Sequence, residues 1–206
     1  MKNAGKHADD LKALLKRLAK EHKPAGRAPQ EPLKALVRGA MSYDMPDTRA
    51  DEAMRAIDRE FVDLNELRVA TDLEIQGLLG QKYPEIERRV AMITQSLNNI
   101  FEREHTLSLD RLKTVSKRDA RQFLRELPDI HPFVEAYVLV YGFDGHAFPM
   151  DGDTKAFLKE QGILEESTTL DEAQRFVEHH LKADECHDLF VALRAGGMDG
   201  KGKKKK

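Results

Sequence analysis

The sequence predicts an all-α fold, and three observations lead to that prediction. Apolar residues recur at helical spacing along most of the 206-residue chain. Three helix starts carry a capping signature, a threonine followed three positions later by an acidic residue, at Thr48, Thr71 and Thr169. No stretch of any length alternates apolar and polar residues as a half-buried strand does, so we expect helices alone to form the core.

The N-terminal half is predicted to contain five helices and one connector. Residues 8–21 place a leucine stripe opposite basic residues, which is typical of an amphipathic helix that packs on the body of a protein. The prolines and glycine of residues 23–32 indicate an irregular connector. The remaining helices of this half begin, in order, at Leu33, Thr48, Thr71 and Tyr83.

Residues 116–154 are the centre of the predicted fold. They give a polar-capped helix, a tight turn, and then an almost wholly apolar helix over residues 133–142, which we expect to be buried on all sides. A glycine-containing loop ends that helix, and Asp151 stands directly before another one. The last two helices follow, one opened by Thr169 and one ending at Gly196 and Gly197.

The composition is typical of a soluble protein. Charged residues make up 34% of the chain, the mean hydropathy is −0.59, and no apolar run is long enough to span a bilayer. The first residues lack the apolar segment of a signal peptide, and a single cysteine fits a reducing compartment. We therefore expect a cytoplasmic monomer that does not bind membranes.

The charge is distributed unevenly. Residues 201–206 hold five of the 34 lysines and arginines, so the rest of the chain carries 29 basic against 36 acidic residues, a net charge of −7. An acidic body disfavours non-specific contact with phosphates. We expect weak to moderate binding of double-stranded DNA, assisted by the tail; the alternative is that the tail is only a disordered, solubilising end.

The central residues resemble the helix-hairpin-helix DNA glycosylases, the superfamily of endonuclease III and the adenine glycosylases. Residues 127–135 take the place of the family pattern Leu-Pro-Gly-Val-Gly-x-Lys-Thr-Ala, and residues 150–153 that of Val-Asp-Thr-His. The resemblance implies the endonuclease III-like two-lobed helical fold. The implied division is a bundle over residues 33–145, a second lobe from residues 1–32 and 146–197, and a disordered tail over residues 198–206.

The resemblance also assigns chemistry. Asp151 matches the family's catalytic aspartate, which stabilises an oxocarbenium-like sugar while the glycosidic bond breaks. The alternative is that Asp151 only caps the next helix, where aspartate is favoured for structural reasons. Phe133 replaces the lysine nucleophile of the bifunctional members, so strand cleavage through a Schiff base is not expected. The implied function is a monofunctional glycosylase of base excision repair; the alternative is an inactive descendant that binds DNA or protein.

The hairpin is the candidate DNA-binding turn. Family members use glycines there because their backbone N–H groups approach a phosphate closely. Asp129, Ile130 and His131 occupy those positions in this chain, and His131 can return one donor. The alternative is an ordinary corner between two helices that does not contact DNA.

Three further residues are candidates by position. The stretch that carries the base-gap-filling residue in many family members corresponds to residues 37–42 here, so Met41 is assigned as an apolar wedge. Tyr137 and Tyr141 lie close to the motif and are candidates for the base pocket, although aromatic residues at such positions also form cores. The sequence does not identify the base or any protein partner.

No cofactor is expected. Many family members hold an iron–sulfur cluster with four cysteines after the last helix, whereas Cys186 of this chain falls within a helix. A metal site is not predicted either, because a helix break separates the two pairs of possible ligands near the C-terminus. Those pairs are His179 with His180 and Cys186 with His187.

Overall fold

The computed structural model describes residues 4–80 and 83–197, and within those ranges it contains helices and no strand. The all-α prediction is confirmed. The eleven α-helices of the described residues are α1 (Ala4–His22), α2 (Pro32–Ser42), α3 (Asp47–Glu60), α4 (Leu64–Val69), α5 (Asp72–Leu79), α6 (Ile86–Glu104), α7 (Lys117–Arg125), α8 (Pro132–Phe143), α9 (Gly152–Glu160), α10 (Leu170–His180) and α11 (Ala183–Ala192). A 3₁₀ turn at Asp110–Lys113 precedes α7, and a π-helical segment, Leu193–Gly197, follows α11.

Residues Pro29–Gly145 form one compact unit built around α8. The sequence Phe133–Val140 of that helix is buried at every position, as its continuous apolar run predicts. Helix α2 packs along α8, and glycines make the close approach possible. A Cβ atom at Gly39 would lie 3.3 Å from Cβ of Tyr137, and one at Gly142 would lie 3.0 Å from Cα of Pro32.

Gly142→Ala is therefore expected to lower the free energy of unfolding by about 1–3 kcal/mol, because the new methyl group meets backbone that does not yield easily. Gly77→Ala is the matched control. Gly77 lies within α5 and a Cβ there would meet nothing within 4 Å, so we expect a gain of up to about 1 kcal/mol from helix propensity. Urea unfolding of the two variants measures both effects. A Gly142→Ala variant as stable as the wild type would contradict the assigned packing of α2 on α8.

The other compact unit consists of the described parts of Met1–Ala28 and His146–Lys206. The leucine stripe of α1 is buried, and α1 packs on α11. Phe148, Leu158 and Leu189 are also buried in this unit. The predicted lysine-rich tail, residues 198–206, lies outside the described residues. In the described part of the chain, no helix is long and apolar enough to cross a membrane.

Two of the three capping signatures form as predicted and one does not. Thr71 and Thr169 each make a complete capping box with the glutamate three residues later. Thr48 does not open its helix, because α3 already begins at Asp47 behind Pro46. The helix expected to start at Tyr83 begins only at Ile86, since Glu85 before it adopts a left-handed conformation with φ of 51°.

Candidate functional site

Asp151 caps the N-terminus of α9. Its backbone is extended, and its Oδ1 accepts a hydrogen bond of 2.8 Å from the backbone N–H of Thr154. This is the geometry of a helix cap, in which a side-chain oxygen satisfies one of the first backbone donors. Asp151 is 0% exposed, and Thr154 is buried with it.

The second carboxylate oxygen of Asp151 is bound by Arg194. Nη1 of Arg194 lies 3.2 Å from Oδ2, and the arginine side chain is itself only 6% exposed. Both oxygens of Asp151 therefore have partners inside the protein, and one partner carries the opposite charge. Sequence reasoning did not identify Arg194. In the sequence, the only available signal for it was a basic residue that follows the apolar Leu193 at the end of the last predicted helix.

The hairpin turn between α7 and α8 contains a residue with positive φ, although no glycine is present in the turn. Asp129 is exposed and adopts φ of 48°, the left-handed region that glycine occupies at little cost. Aspartate tolerates this region better than most residues, so the turn forms without a glycine at this position. The next residue, Ile130, closes the turn with an N–H to carbonyl contact of 3.4 Å to Leu127.

The backbone donors after Asp129 point into the protein. The N–H of His131 donates to Sδ of Met92 at 3.3 Å, and Pro132 has no N–H. The N–H of Phe133 donates to Nδ1 of His131 at 3.2 Å, so His131 acts as the N-cap of α8. A phosphate-binding turn needs these donors to face outward, and in this conformation the turn does not present them.

His131 also belongs to a column of stacked side chains. Its ring stacks on Tyr43 with centroids 4.4 Å apart and an interplanar angle of 4°. The guanidinium of Arg89 lies 3.6 Å from the centroid of the Tyr43 ring. Arg89 is almost fully buried and donates to the carbonyls of Pro84, Ala40 and Tyr43. The histidine at the hairpin is therefore held by the core of its unit.

Two glycine substitutions in the hairpin, His131→Gly and Asp129→Gly, test whether this turn contacts DNA or has only a structural role. His131→Gly removes the cap of α8 and the stack on Tyr43, and we expect a loss of about 1–2 kcal/mol in the free energy of unfolding. Asp129→Gly should change stability by less than about 1 kcal/mol, since it relieves φ strain but frees the unfolded chain. Duplex-DNA titrations should give the same affinity for both variants as for the wild type. Tighter duplex binding by Asp129→Gly would contradict the structural assignment of the turn.

Met41, the candidate wedge, is a buried residue of α2. The side chain is fully buried, and the backbone carbonyl of Met41 accepts a hydrogen bond from the hydroxyl of Tyr83. A wedge has to project from the surface to enter a base step. Met41 therefore contributes to the core of the Pro29–Gly145 unit, and its assignment as a wedge stays a prediction.

The two candidate pocket tyrosines lie side by side in the Pro29–Gly145 unit. Tyr137 is buried, and its ring centroid is 4.5 Å from that of the partly exposed Tyr141. The hydroxyl of Tyr137 accepts a 3.0 Å hydrogen bond from Nε of Arg38, which also pairs with Asp51. Burial raises the pKa of Tyr137, with the nearby Arg38 opposing that change.

Phe133, at the position of the family's lysine nucleophile, is a core residue. It is fully buried, and its ring lies 5.9 Å from that of Tyr137 and 6.4 Å from that of Tyr43. Among the described residues there is no group of three or more histidine, cysteine, aspartate or glutamate side chains arranged to hold a metal ion. Cys186 is buried, which raises the pKa of its thiol to about 12.

Comparison with family models and with curated proteins finds no match, whereas solved structures share the fold. A trapped endonuclease III–DNA covalent intermediate matches with a TM-score of 0.72 at 12% identity, over 92% of this chain and 85% of that chain. The apo-form of the Clostridium acetobutylicum 8-oxoguanine glycosylase/lyase gives 0.70 at 13% identity, over 94% and 70%. A thermostable thymine-DNA glycosylase gives 0.68 at 12% identity, over 98% and 90%. The endonuclease III-like fold predicted from the central motif is confirmed.

Proposed function

We propose that this chain is a catalytically silent protein of the endonuclease III-like glycosylase fold, whose role is binding rather than base removal. The observation that carries the proposal is the state of Asp151, whose two carboxylate oxygens are bound by Thr154 and Arg194. Fold alone does not decide the matter, since one fold hosts active and inactive proteins.

The chemistry of glycosidic-bond cleavage explains why this state matters. An aspartate assists the reaction by placing uncompensated negative charge next to a sugar that becomes cationic. The guanidinium of Arg194 cancels that charge at 3.2 Å, and full burial keeps the sugar away. In this arrangement the carboxylate stabilises the unit that contains α9 rather than a transition state.

Two features of the Pro29–Gly145 unit support the same proposal. Phe133 offers no amine for a Schiff base. The hairpin donors of His131 and Phe133 are bound by Met92 and by the His131 ring. With a net charge of −7 outside the tail, the chain is also poorly suited to hold a duplex by its phosphates. A protein is therefore a better-supported binding partner than duplex DNA.

A second candidate is a monofunctional glycosylase. Asp151 directly precedes α9, and it matches the catalytic aspartate of the motif that the sequence resembles. The solved structures with this fold include a thymine-DNA glycosylase and an 8-oxoguanine glycosylase/lyase. This candidate requires Asp151 to separate from Arg194 when a substrate binds.

The test is a base-release screen over duplexes that carry damaged or mismatched bases, with borohydride added in parallel. The proposal predicts neither base release nor a trapped covalent adduct, because the amine nucleophile is replaced and the carboxylate is paired. Base release that disappears in Asp151→Asn would establish the second candidate instead. Robust trapping would contradict both candidates and direct attention to another lysine.

A further inference from the structure

Three strongly exposed apolar side chains lie close together in the sequence. Val62 is 93% exposed, Val69 66% and Leu73 79%, and in the described part of the chain only Phe101 joins them among exposed large hydrophobic residues. Such residues scattered singly need no explanation, whereas a cluster indicates an interaction surface. All three belong to the short segment that includes α4 and the start of α5.

Val69 lines a groove that we call the α4–α5 groove, and Val62 and Leu73 are next in sequence to its lining residues Phe61 and Glu74. The groove has a volume of about 500 Å³. Its apolar lining residues are Phe61, Val69, Ala70 and Leu78, and its acidic lining residues are Glu60, Glu66 and Glu74. The groove therefore brings apolar side chains and carboxylates together on one small surface, and hydrophobic grooves are where amphipathic helices dock their apolar faces.

Two of the three acidic side chains, Glu66 and Glu74, accept local hydrogen bonds. Glu66 accepts a 2.6 Å hydrogen bond from the backbone N–H of Val62, and Glu74 accepts one of 2.8 Å from that of Thr71. The backbone hydrogen bond from Thr71 lowers the pKa of Glu74, so that carboxylate is ionised at neutral pH. Residues 58–78 contain six acidic and two basic residues, a net charge of −4.

We infer that the α4–α5 groove is a docking site for a basic amphipathic helix of a partner protein. Apolar residues spaced i, i+3, i+4 and i+7 on that helix would cover Val69 and Leu73, and flanking lysines or arginines would face the glutamates. The charge disfavours two other occupants. Nucleic acid would place phosphates against carboxylates, and a second copy would bring two surfaces of net −4 together.

This inference rests on the proposed function only in taking protein binding as the role of the chain. The groove lies entirely within the Pro29–Gly145 unit and involves neither Asp151 nor the hairpin. A glycosylase could therefore carry the same groove, and a base-release assay on the same preparation keeps the two questions separate. Base release together with peptide binding would overturn the proposed function and leave the groove assigned.

The experiment is a titration of the full chain with three synthetic 16-residue peptides. The first has leucine at helical spacing with lysine elsewhere, the second replaces every lysine by glutamate, and the third scrambles the first. We expect binding of the first peptide alone, weakening as salt is raised because exposed charges are screened. Equal binding of the lysine and glutamate peptides, or of the scrambled peptide, would overturn the inference.

Variants locate the binding on the groove. Leu73→Ser and Glu60→Lys should each weaken binding of the lysine peptide by about tenfold, as loss of one apolar or charged interface contact does. Glu160→Lys is the control, since it makes the same charge change at an exposed position of α9 outside the groove, and it should bind as the wild type does. These exposed positions should leave thermal stability nearly unchanged.

Two further results would reassign the surface. Binding of duplex DNA to the chain in the absence of peptide, weakened by Leu73→Ser, would point to nucleic acid as the occupant. Concentration-dependent dimerisation in sedimentation, abolished by Leu73→Ser, would point to a second copy. Wild-type affinity in both Leu73→Ser and Glu60→Lys would show that the peptide binds elsewhere, which contradicts the inference.

Discussion

Replacing Arg194 by leucine is expected to lower the free energy of unfolding by about 3–5 kcal/mol, the largest effect of any single substitution proposed for this chain. The side chain is 6% exposed and pairs with a carboxylate that is 0% exposed. Removing the guanidinium leaves the charge of Asp151 buried without its ionic partner, and a buried unpaired charge is strongly unfavourable. Urea unfolding followed by circular dichroism measures the change.

The matched control is the double variant Asp151→Asn with Arg194→Leu. Asparagine keeps the cap on Thr154 but carries no charge, so the double variant should be more stable than Arg194→Leu alone by about 2 kcal/mol. Such recovery is the signature of a pair that acts as a unit. Strictly additive losses in the double variant would show that the two side chains do not stabilise one another.

Arg89→Met should lower the free energy of unfolding by about 3 kcal/mol, because it leaves the carbonyls of Ala40 and Tyr43, which accept buried hydrogen bonds, and the carbonyl of Pro84 without their donor. It also removes the cation over the Tyr43 ring. Burial lowers the pKa of Arg89, while the adjacent Tyr43 opposes that change.

Arg88→Met is the control for that prediction. Arg88 is the neighbouring residue on α6, its side chain is largely exposed, and its ion pair with Glu85 spans 3.7 Å at the surface. Exposed pairs of this kind contribute little, so the change should stay within about 0.5 kcal/mol. Similar losses in the two variants would mean that charge alone, rather than the buried contacts of Arg89, explains the result.

Local features of this fold could be predicted from the sequence because local interactions determine them. The capping boxes at Thr71 and Thr169 join residues three positions apart, and the buried run of α8 needs no knowledge of its neighbours. The predicted start of α3 at Thr48 was wrong. Pro46, whose own local signal marks a helix boundary, places the start at Asp47. α4 was not predicted, since its cap at Asp63 precedes only six helical residues.

The state of the candidate site depends on contacts that are distant in sequence. The sequence around Asp151 fits a catalytic aspartate and a helix cap equally well. Arg194, whose contact distinguishes these two roles, lies 43 positions away. The N–H of His131 is bound by Met92, 39 positions away. Met41 was assigned from its place in a motif, whereas its burial depends on packing between helices. No periodicity in the sequence encodes these pairings.

A transition-state analogue tests the central claim most directly, because it does not require the recognised base to be known. The probe is a duplex in which a cationic pyrrolidine replaces one abasic sugar and mimics the oxocarbenium ion. A glycosylase binds such an analogue at least about a hundredfold more tightly than its substrate. If Asp151 is structural, the wild type should bind the analogue and the unmodified duplex with equal affinity, and Asp151→Asn should change neither. Strong preference for the analogue that is lost in Asp151→Asn would contradict the account and establish Asp151 as a catalytic residue.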